Sequence, residues 1–227
     1  MGKDDILSKA AILQRDEETY AIVAGLLAGV MDVPTARRIA DAAEKYGVKK
    51  LKVTGAQRLA LVGVKEQDID AAYEAMGMKP QDTAALCLQY IKACPGNIFC
   101  SRGQRDTLSF ASKVRERFYP FPKISAKIKI GISGCFNSCT EPAIKDIGLI
   151  GLPKGWTVMA GGAGGLEPMF AQIIASNLND DQALDLVERI LKYYRGAANR
   201  ISTRNYRLGI IMKMDGKGQL LRACGLE

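Results

Sequence analysis

Four of the six cysteines stand in two close pairs, and thiols at such spacing can hold a metal. Five residues separate Cys94 from Cys100, and three separate Cys135 from Cys139. The chain contains no histidine, which excludes histidine-ligated zinc or haem and any nucleophile that depends on a histidine base. Because structural disulfides are rare under reducing conditions, the two pairs predict a thiolate-bound metal.

The spacing within the pairs bears on which metal they bind. Structural zinc usually takes pairs with two to four intervening residues, and only the second pair fits that range. Iron–sulfur clusters are larger and accept wider spacing. The preferred interpretation is therefore an iron–sulfur cluster, with zinc as the alternative. The other two cysteines, Cys87 and Cys224, are interpreted as plain core or surface thiols.

Positive charge is in excess, with 32 Lys and Arg against 24 Asp and Glu and a net charge of +8. This balance predicts an acidic partner, a nucleic acid or an anionic ligand. Lys and Arg also outnumber Asp and Glu between Cys94 and Cys139, which suggests a polyanion besides the metal centre. Aromatic residues make up only 7% of the chain and are not interleaved with basic ones, which disfavours a nucleic-acid module.

Glycines accompany the cysteines and form one further loop. Gly96 and Gly134 stand next to the two pairs, and a glycine-rich loop runs over residues 161–165. Glycine lets a backbone approach a cofactor closely or donate N–H groups to carboxylates. The alternative interpretation is that these glycines form ordinary turns.

Ahead of the first pair, the sequence predicts a small α+β unit. Apolar runs predict strands at 20–24 and 59–64, and alternating residues predict a strand at 50–54 that forms a hairpin with the second of these. Helical spacing predicts helices at 34–46 and 66–76, each followed by glycine. We predict two domains, 1–79 and 80–227.

The second part of the chain predicts the elements around the cysteines. They are a helix at 105–118, a strand at 126–132, strands at 146–152 and 156–160 around a Pro-Lys-Gly turn, and helices at 166–175 and 181–194. Asn179 or Asp180 would cap the last helix. Lys127 and Lys129 share one face of the strand that leads into Cys135, which separates them from ordinary surface lysines.

Hydropathy and the N-terminus bear on location. No stretch approaches the roughly 18 apolar residues that cross a bilayer. The first residues, MGKDDILSKA, have no basic start followed by an apolar run. We therefore expect a cytoplasmic protein without a membrane segment.

These residues resemble a known family. The pairs in their settings, Ala-Cys-Pro-Gly and Ile-Ser-Gly-Cys-Phe-Asn-Ser-Cys, are similar to the sirohaem and 4Fe-4S motif of sulfite and nitrite reductases. The resemblance extends to Asp-Ile-Gly-Leu-Ile-Gly at 146–151, to the loop at 161–165 and to the region that ends at Gln57. The short length is most like the low-molecular-weight, assimilatory-type sulfite reductases. The implied fold is α+β, with a ferredoxin-like half-domain followed by an α/β domain that binds sirohaem and the cluster.

The resemblance also implies roles for individual residues. Cys94, Cys100, Cys135 and Cys139 would bind a 4Fe-4S cluster, and Cys139 would also bridge to the sirohaem iron. Lys127 and Lys129 would bind the substrate anion and relay protons to it, with Lys52 and Arg58 as further substrate contacts. Cofactor contacts would come from Thr54, Gln57, Arg102, Asn137, Gly161 and Gly162.

The implied activity is the six-electron reduction of sulfite to sulfide, with electrons from a small acidic donor such as ferredoxin. Nitrite is the alternative substrate, and a cluster protein that only transfers electrons is the alternative class. Larger family members contain two copies of this module, whereas this chain has one. Either the second subunit of a homodimer supplies the missing half of the cofactor envelope, which is the preferred interpretation, or the single module holds a more exposed sirohaem.

Overall fold

The chain folds into two units, Met1–Ala85 and Leu86–Glu227. The computed structural model describes residues 3–80, 88–118, 128–200 and 206–226. The predicted domain boundary after residue 79 stays a prediction. Within the described residues, no helix is both long and apolar enough to span a bilayer.

An antiparallel sheet with two helices forms the first unit. Its elements are β1 (Ile12–Leu13), β2 (Thr19–Ala24), α1 (Val33–Lys45), β3 (Lys50–Val53), β4 (Leu59–Lys65) and α2 (Ile69–Ala75). The sheet order is β1-β2-β4-β3. The predicted hairpin is confirmed, because β3 pairs with β4 with Val53 opposite Leu59. The helix α1 begins where the Asp32 side chain accepts a hydrogen bond of 2.8 Å from the Thr35 backbone N–H.

Alternation along the strands builds the core of this unit. In β2, Tyr20 and Ile22 are buried while their neighbours are partly exposed, as expected for a strand with one face against the core. Ile39 of α1 and Ile69 of α2 pack into the same cluster, together with Leu61 of β4. The four-strand and two-helix layering confirms the α+β prediction for this region.

A mixed five-stranded sheet organises the second unit. Its strands are β5 (Leu88–Ala93), β6 (Ile128–Ser133), β7 (Ile147–Leu152), β8 (Gly155–Ala160) and β9 (Gln172–Leu178). Its helices are α3 (Gly96–Phe99), α4 (Thr107–Phe118), α5 (Asp180–Arg200), α6 (Leu208–Asp215) and α7 (Lys217–Ala223). The strands follow one another in sheet order β5-β6-β7-β8-β9. The first three are parallel, and β8 and β9 are added antiparallel.

Helices α4 and α5 cover the apolar face of this sheet. Phe110 of α4 lies against Trp156 of β8, with ring centroids 4.4 Å apart. The indole N–H of Trp156 donates to Asp180 Oδ1 at 2.8 Å, so the one polar atom of the buried ring has a partner. Ile130 and Ile132 of β6 are fully buried on the same face. This packing fixes β6, the strand that leads to the second cysteine pair.

One helix predicted for this unit is wrong, and another is confirmed. The predicted helix at 166–175 is wrong: residues 172–178 form β9, which pairs with β8. Pro168 interrupts the predicted helix, and β-branched Ile173 and Ile174 favour a strand. The predicted helix at 181–194 is confirmed and is longer than expected. Asn179 caps it by accepting the Gln182 backbone N–H at 2.9 Å.

Candidate functional site

Both cysteine loops begin at one edge of the second sheet. Cys94 follows β5 directly, and Cys135 lies two residues beyond the end of β6. The two strands are parallel neighbours with Ala93 opposite Ile132, so their carboxyl ends meet at the same edge. The backbone N–H of Cys94 continues the ladder by donating to Ile132 O at 3.1 Å. The topology thus brings both pairs to one place.

Direct hydrogen bonds join the two loops. The backbone N–H of Gly134 donates to Cys94 Sγ at 3.1 Å. The Gly134 carbonyl accepts from the Gln104 backbone N–H at 2.7 Å. Hydrogen bonds to the sulfurs are among the features that tune an iron–sulfur cluster. The first sulfur is thus fixed to the loop that carries the second pair.

Two glycines make this close approach possible. A Cβ at Gly134 would lie 3.1 Å from Gly96 Cα. A Cβ at Gly96, whose φ is +61°, would lie 2.6 Å from Thr107 Oγ1. Both spaces are therefore filled by the protein itself. These glycines therefore allow the two loops to contact each other closely. This role agrees with the alternative interpretation, in which the glycines serve the backbone and not a cofactor.

Two successive turns shape the second cysteine loop. The Ser138 backbone N–H donates to Cys135 O at 3.2 Å, and the Glu141 N–H donates to Ser138 O at 2.8 Å. Ser138 and Glu141 both have left-handed backbone, with φ of +52° and +51°. Between them, Thr140 is fixed to the end of β6, because its N–H donates to Ser133 Oγ at 3.1 Å. Cys139 is therefore held on both sides.

The four thiols differ in their exposure. Cys94 is buried, Cys100 and Cys135 are half-buried, and Cys139 is exposed. Two aromatic side chains beside them, Phe99 and Phe136, are also strongly exposed. Exposure thus rises from Cys94, which is buried, to Cys139, which is the exposed thiol of the four.

The described residues contain no group of three His, Cys, Asp or Glu close enough to hold a single metal ion. A cuboidal cluster binds each thiolate through a different iron atom. Its four sulfurs are consequently farther apart than the ligands of one zinc ion. The finding therefore bears on single ions and not on a cluster.

Of the two predicted anion-binding lysines, Lys127 lies outside the described residues. Lys129 stands near the start of β6, roughly 13 Å along the strand from its carboxyl end at about 3.3 Å per residue. Its Nζ lies 5.6 Å from the centroid of the Tyr90 ring. The structure therefore places the Lys129 backbone away from the cysteine loops, and its role stays a prediction.

A buried carboxylate that the sequence did not single out lies beneath Lys129. Asp146 is fully buried and accepts the Lys129 backbone N–H at 2.7 Å. The Arg207 guanidinium binds the Asp146 carboxylate in a bidentate manner: Nε donates to Oδ1 at 2.7 Å, and Nη2 donates to Oδ2. Burial raises the pKa of Asp146, and the hydrogen bonds from Arg207 and Lys129 oppose that rise. Sequence spacing gives no signal for this pair, because 61 residues separate its members.

Gly161 and Gly162 are packed against protein. A Cβ at Gly161 would lie 2.7 Å from Met212 Sδ, and one at Gly162 would lie 2.6 Å from the Lys145 carbonyl oxygen. The Gly161 N–H donates to Asp146 O at 2.8 Å. Close packing therefore accounts for both glycines, and their predicted cofactor contact stays a prediction.

Arg102 and Asn137 lie beside the cysteines and are exposed. Arg102 stands two residues beyond Cys100, and Asn137 lies between Cys135 and Cys139. Their side chains are thus exposed on the two cysteine loops.

The remaining predicted residues gather on one hairpin of the first unit. Thr54 and Arg58 close the turn between β3 and β4, with Thr54 N–H donating to Arg58 O at 2.8 Å and Arg58 N–H donating to Thr54 Oγ1 at 3.1 Å. Gln57 has left-handed backbone at φ +57°. Lys52 is exposed, and its Nζ donates to Val53 O at 3.0 Å. These four residues are close to each other within the unit.

Four thiols on two joined loops, without histidine, form a donor set that fits a 4Fe-4S cluster. This fold and site define a candidate iron–sulfur oxidoreductase. Two family models match the chain: the nitrite and sulphite reductase 4Fe-4S domain over residues 85–227, and the nitrite/sulfite reductase ferredoxin-like half domain over residues 12–79. The chain belongs to the nitrite and sulfite reductase family.

Similar proteins include the assimilatory-type sulfite reductase of Nitratidesulfovibrio vulgaris. It is 37% identical over 82% of this chain and 85% of its own length. The nitrite reductase (NAD(P)H) of Bacillus subtilis is 31% identical over 83% of this chain. This chain spans only 23% of that enzyme.

Solved structures share the fold at low sequence identity. The NirA protein of Mycobacterium tuberculosis is 15% identical, with a TM-score of 0.78 over 90% of this chain and 39% of its own. A dissimilatory sulfite reductase I is 12% identical, with a TM-score of 0.79 over 92% of this chain and 69% of its own. The predicted fold class, a ferredoxin-like half-domain followed by a sirohaem and iron–sulfur type domain, is confirmed.

Proposed function

We propose that this protein is an assimilatory-type sulfite reductase that reduces sulfite to sulfide with six electrons. The observation that carries the proposal is the meeting of the two cysteine loops, with the Gly134 N–H on Cys94 Sγ at 3.1 Å. Similarity to an assimilatory-type sulfite reductase over 85% of that protein's length supports the choice of activity.

Four thiolates, those of Cys94, Cys100, Cys135 and Cys139, would hold a 4Fe-4S cluster. Cys139 would also contact the iron of a sirohaem, and its exposure supports that role. When bound, these groups would relay electrons from an external donor and supply the iron at which sulfite is reduced. Arg102, Asn137, Gly161 and Gly162, with Thr54 and Gln57 of the first unit, would contact the sirohaem.

The basic side chains would act on the substrate itself. Sulfite is an oxyanion whose oxygens leave only after protonation, so its site needs cations that bind the anion and groups that relay protons. We assign Lys127 and Lys129 to this role, with Lys52 and Arg58 as further contacts. Because the Lys129 backbone N–H is held by Asp146 at 2.7 Å, the strand position of this lysine is fixed.

Partners and location follow from charge and from the single module. A net charge of +8 favours an acidic electron donor such as ferredoxin, which long-range attraction would bring to the protein. A second copy of the chain would supply the missing half of the cofactor envelope, so we propose a homodimer. We propose a cytoplasmic location, where low-potential donors are available.

Two other functions remain as alternatives. Nitrite would accept six electrons at the same centre, and a nitrite reductase of Bacillus subtilis is 31% identical to this chain. A non-catalytic electron carrier is the second alternative. It is favoured by 28% identity to an assimilatory nitrate reductase electron transfer subunit of Bacillus subtilis over 86% of this chain.

Product analysis with reduced viologen as donor separates these functions. The expected result for anaerobically purified protein is sulfide from sulfite. Ammonia from nitrite without sulfide from sulfite would make nitrite the substrate. Neither product, in protein with iron and labile sulfide but without sirohaem absorption from a sirohaem-competent host, would indicate an electron carrier.

The role of Lys129 has its own test. Lys129→Ala should lower sulfite turnover while sirohaem content stays unchanged, because the residue is assigned to the anion and not to the macrocycle. Lys113→Ala is the matched control, since that lysine pairs with Asp180 on the surface. An equal loss of sirohaem and turnover would instead assign Lys129 to the cofactor.

A further inference from the structure

Three charged side chains form a small ion-pair cluster below the cysteine loops. Lys92 Nζ lies 3.1 Å from Glu141 Oε1 and 3.0 Å from Oε2. Lys145 Nζ lies 3.0 Å from Glu141 Oε2. One carboxylate thus binds two ammonium groups, and we call these three residues the Glu141 triad.

The triad connects the two segments that carry the first and last cysteines. Lys92 is on β5, two residues before Cys94, and Glu141 is two residues after Cys139. Lys145 lies two residues before the start of β7. The ion pairs therefore fasten the chain just beyond Cys139 to the strand that ends at Cys94.

The two lysines of the triad are mostly buried, whereas the Glu141 side chain is 51% exposed. The Lys92 side chain is 17% exposed and the Lys145 side chain 8% exposed. The ring of Tyr90 lies beside them, with Lys145 Nζ 5.9 Å from its centroid. Charges in such a setting interact more strongly than they would in open solvent.

The backbone at Glu141 points to the same conclusion. Its φ of +51° is in the left-handed region, which a residue with a side chain rarely adopts without compensating contacts. The paired lysines supply such contacts. Neither the Ser133 to Thr140 hydrogen bond nor the ladder between β5 and β6 reaches this position.

We propose that Glu141 is a positioning residue, which with Lys92 and Lys145 holds Cys139 in place relative to Cys94. This inference rests on the cluster ligands proposed above and is independent of the substrate. Without the triad, the segment after Cys139 would lose its ion pairs to the strand that ends at Cys94, and the exposed thiolate would dissociate from the cluster more readily. The Thr140 N–H to Ser133 Oγ and Glu141 N–H to Ser138 O hydrogen bonds would remain. Partners that orient metal ligands typically change metal affinity by about 10–100-fold when removed.

Release of iron from the intact protein tests the proposal without any catalytic assay. Anaerobically purified wild type and Glu141→Gln are mixed with an Fe²⁺ chelator, and the rate of iron release is followed. We expect release from Glu141→Gln to be about 10-fold faster or more. The matched control is Glu188→Gln on α5, which removes a partly exposed carboxylate that also pairs with two cations, Arg117 and Lys192. Its release rate should equal that of wild type.

A charge exchange separates positioning from a general loss of stability. Lys92→Glu alone places two carboxylates together and should accelerate release. Lys92→Glu combined with Glu141→Lys restores two lysines and one glutamate, so release should return toward the wild-type rate. If Glu141→Gln does not fold, as judged by Trp156 fluorescence, Lys92→Met tests the same contact from the other strand.

The measured release rates test the positioning role, and the iron and sulfide content tests the proposed function. Equal release rates for Glu141→Gln and Glu188→Gln, or no recovery in the exchanged double variant, would overturn the positioning role. Wild-type protein that holds no iron and labile sulfide would instead overturn the proposed function. The two failures are therefore distinguishable.

Discussion

Removal of Arg207 should destabilise the second unit far more than removal of a surface arginine. Arg207 pairs with Asp146, which is fully buried, and the Arg207 side chain itself is only 23% exposed. Arg207→Ala removes both guanidinium contacts of the carboxylate and leaves the hydrogen bond from the Lys129 backbone N–H at 2.7 Å. Breaking a buried pair from one side costs about 3–5 kcal/mol, because an uncompensated charge stays behind.

The matched control is Arg117→Ala. Arg117 also contacts two carboxylate oxygens, on Asp185 and Glu188, but its side chain is 37% exposed. Such a surface contact contributes only about 0.2–1 kcal/mol. Each variant therefore removes an arginine side chain that contacts two carboxylate oxygens, and the two sites differ in burial.

Thermal unfolding of the full chain, followed by fluorescence, measures the difference. Trp156 is the only tryptophan and lies buried in the second unit, so the signal reports on that unit. For about 150–250 residues, each kcal/mol lowers the midpoint by about 2–4 °C. Arg207→Ala should therefore lose roughly 6–20 °C and Arg117→Ala less than about 4 °C.

A double variant tests directly whether the unpaired charge of Asp146 causes the loss of stability. Adding Asp146→Asn to Arg207→Ala removes the stranded charge, so the double variant should be more stable than Arg207→Ala alone. Equal midpoints for Arg207→Ala and Arg117→Ala, or strictly additive effects of the two changes at the buried pair, would refute the reasoning.

Two further predictions concern the same unit. Burial raises the pKa of Asp180, but hydrogen bonds from Lys113 and Trp156 outweigh it and hold the pKa below its usual value. The stability that ionised Asp180 contributes is fully present above its unfolded-state pKa of about 3.9. It is lost as pH falls through the lower pKa of Asp180 in the folded state. Asp180→Asn should thus cost about 0.5–1 kcal/mol near neutral pH and progressively less in acid, as measured by unfolding across pH; a constant difference would contradict this. Gly162→Ala should cost about 1–3 kcal/mol by overpacking, since its Cβ would lie 2.6 Å from a carbonyl oxygen, whereas Gly165→Ala, with nothing within 4 Å, should be neutral in the same melts.

Local patterns predicted much of the first unit and the edge of the second sheet from which both cysteine loops begin. Alternation in β3 and the apolar run of β4 indicated the hairpin, and the strand leading to Cys135 showed as alternating Lys and Ile. Local patterns did not predict β9, which is an edge strand of the second sheet. Its residues are mostly exposed or half-exposed, so no buried face appears in the sequence, and pairing with buried β8 decides its structure.

Long-range polar contacts in the site could not be predicted. The i,i+4 spacing of Glu141 and Lys145 is a local signal, but Lys92 joins them from 49 residues away. Arg207 reaches Asp146 across 61 residues. Such contacts depend on which strands become neighbours, and the short-range periodicity of a single sequence does not contain that information.

Metal analysis of anaerobically purified protein tests the central claim most directly. We predict about five iron per chain, four in a 4Fe-4S cluster and one in sirohaem, with about four labile sulfide, together with sirohaem absorption. Serine substitution of Cys94, Cys100, Cys135 or Cys139 should abolish or destabilise the cluster, whereas Cys224→Ser, at a buried thiol outside the two pairs, should retain it. A colourless protein with one zinc per chain, or full iron content in all four variants, would contradict the account.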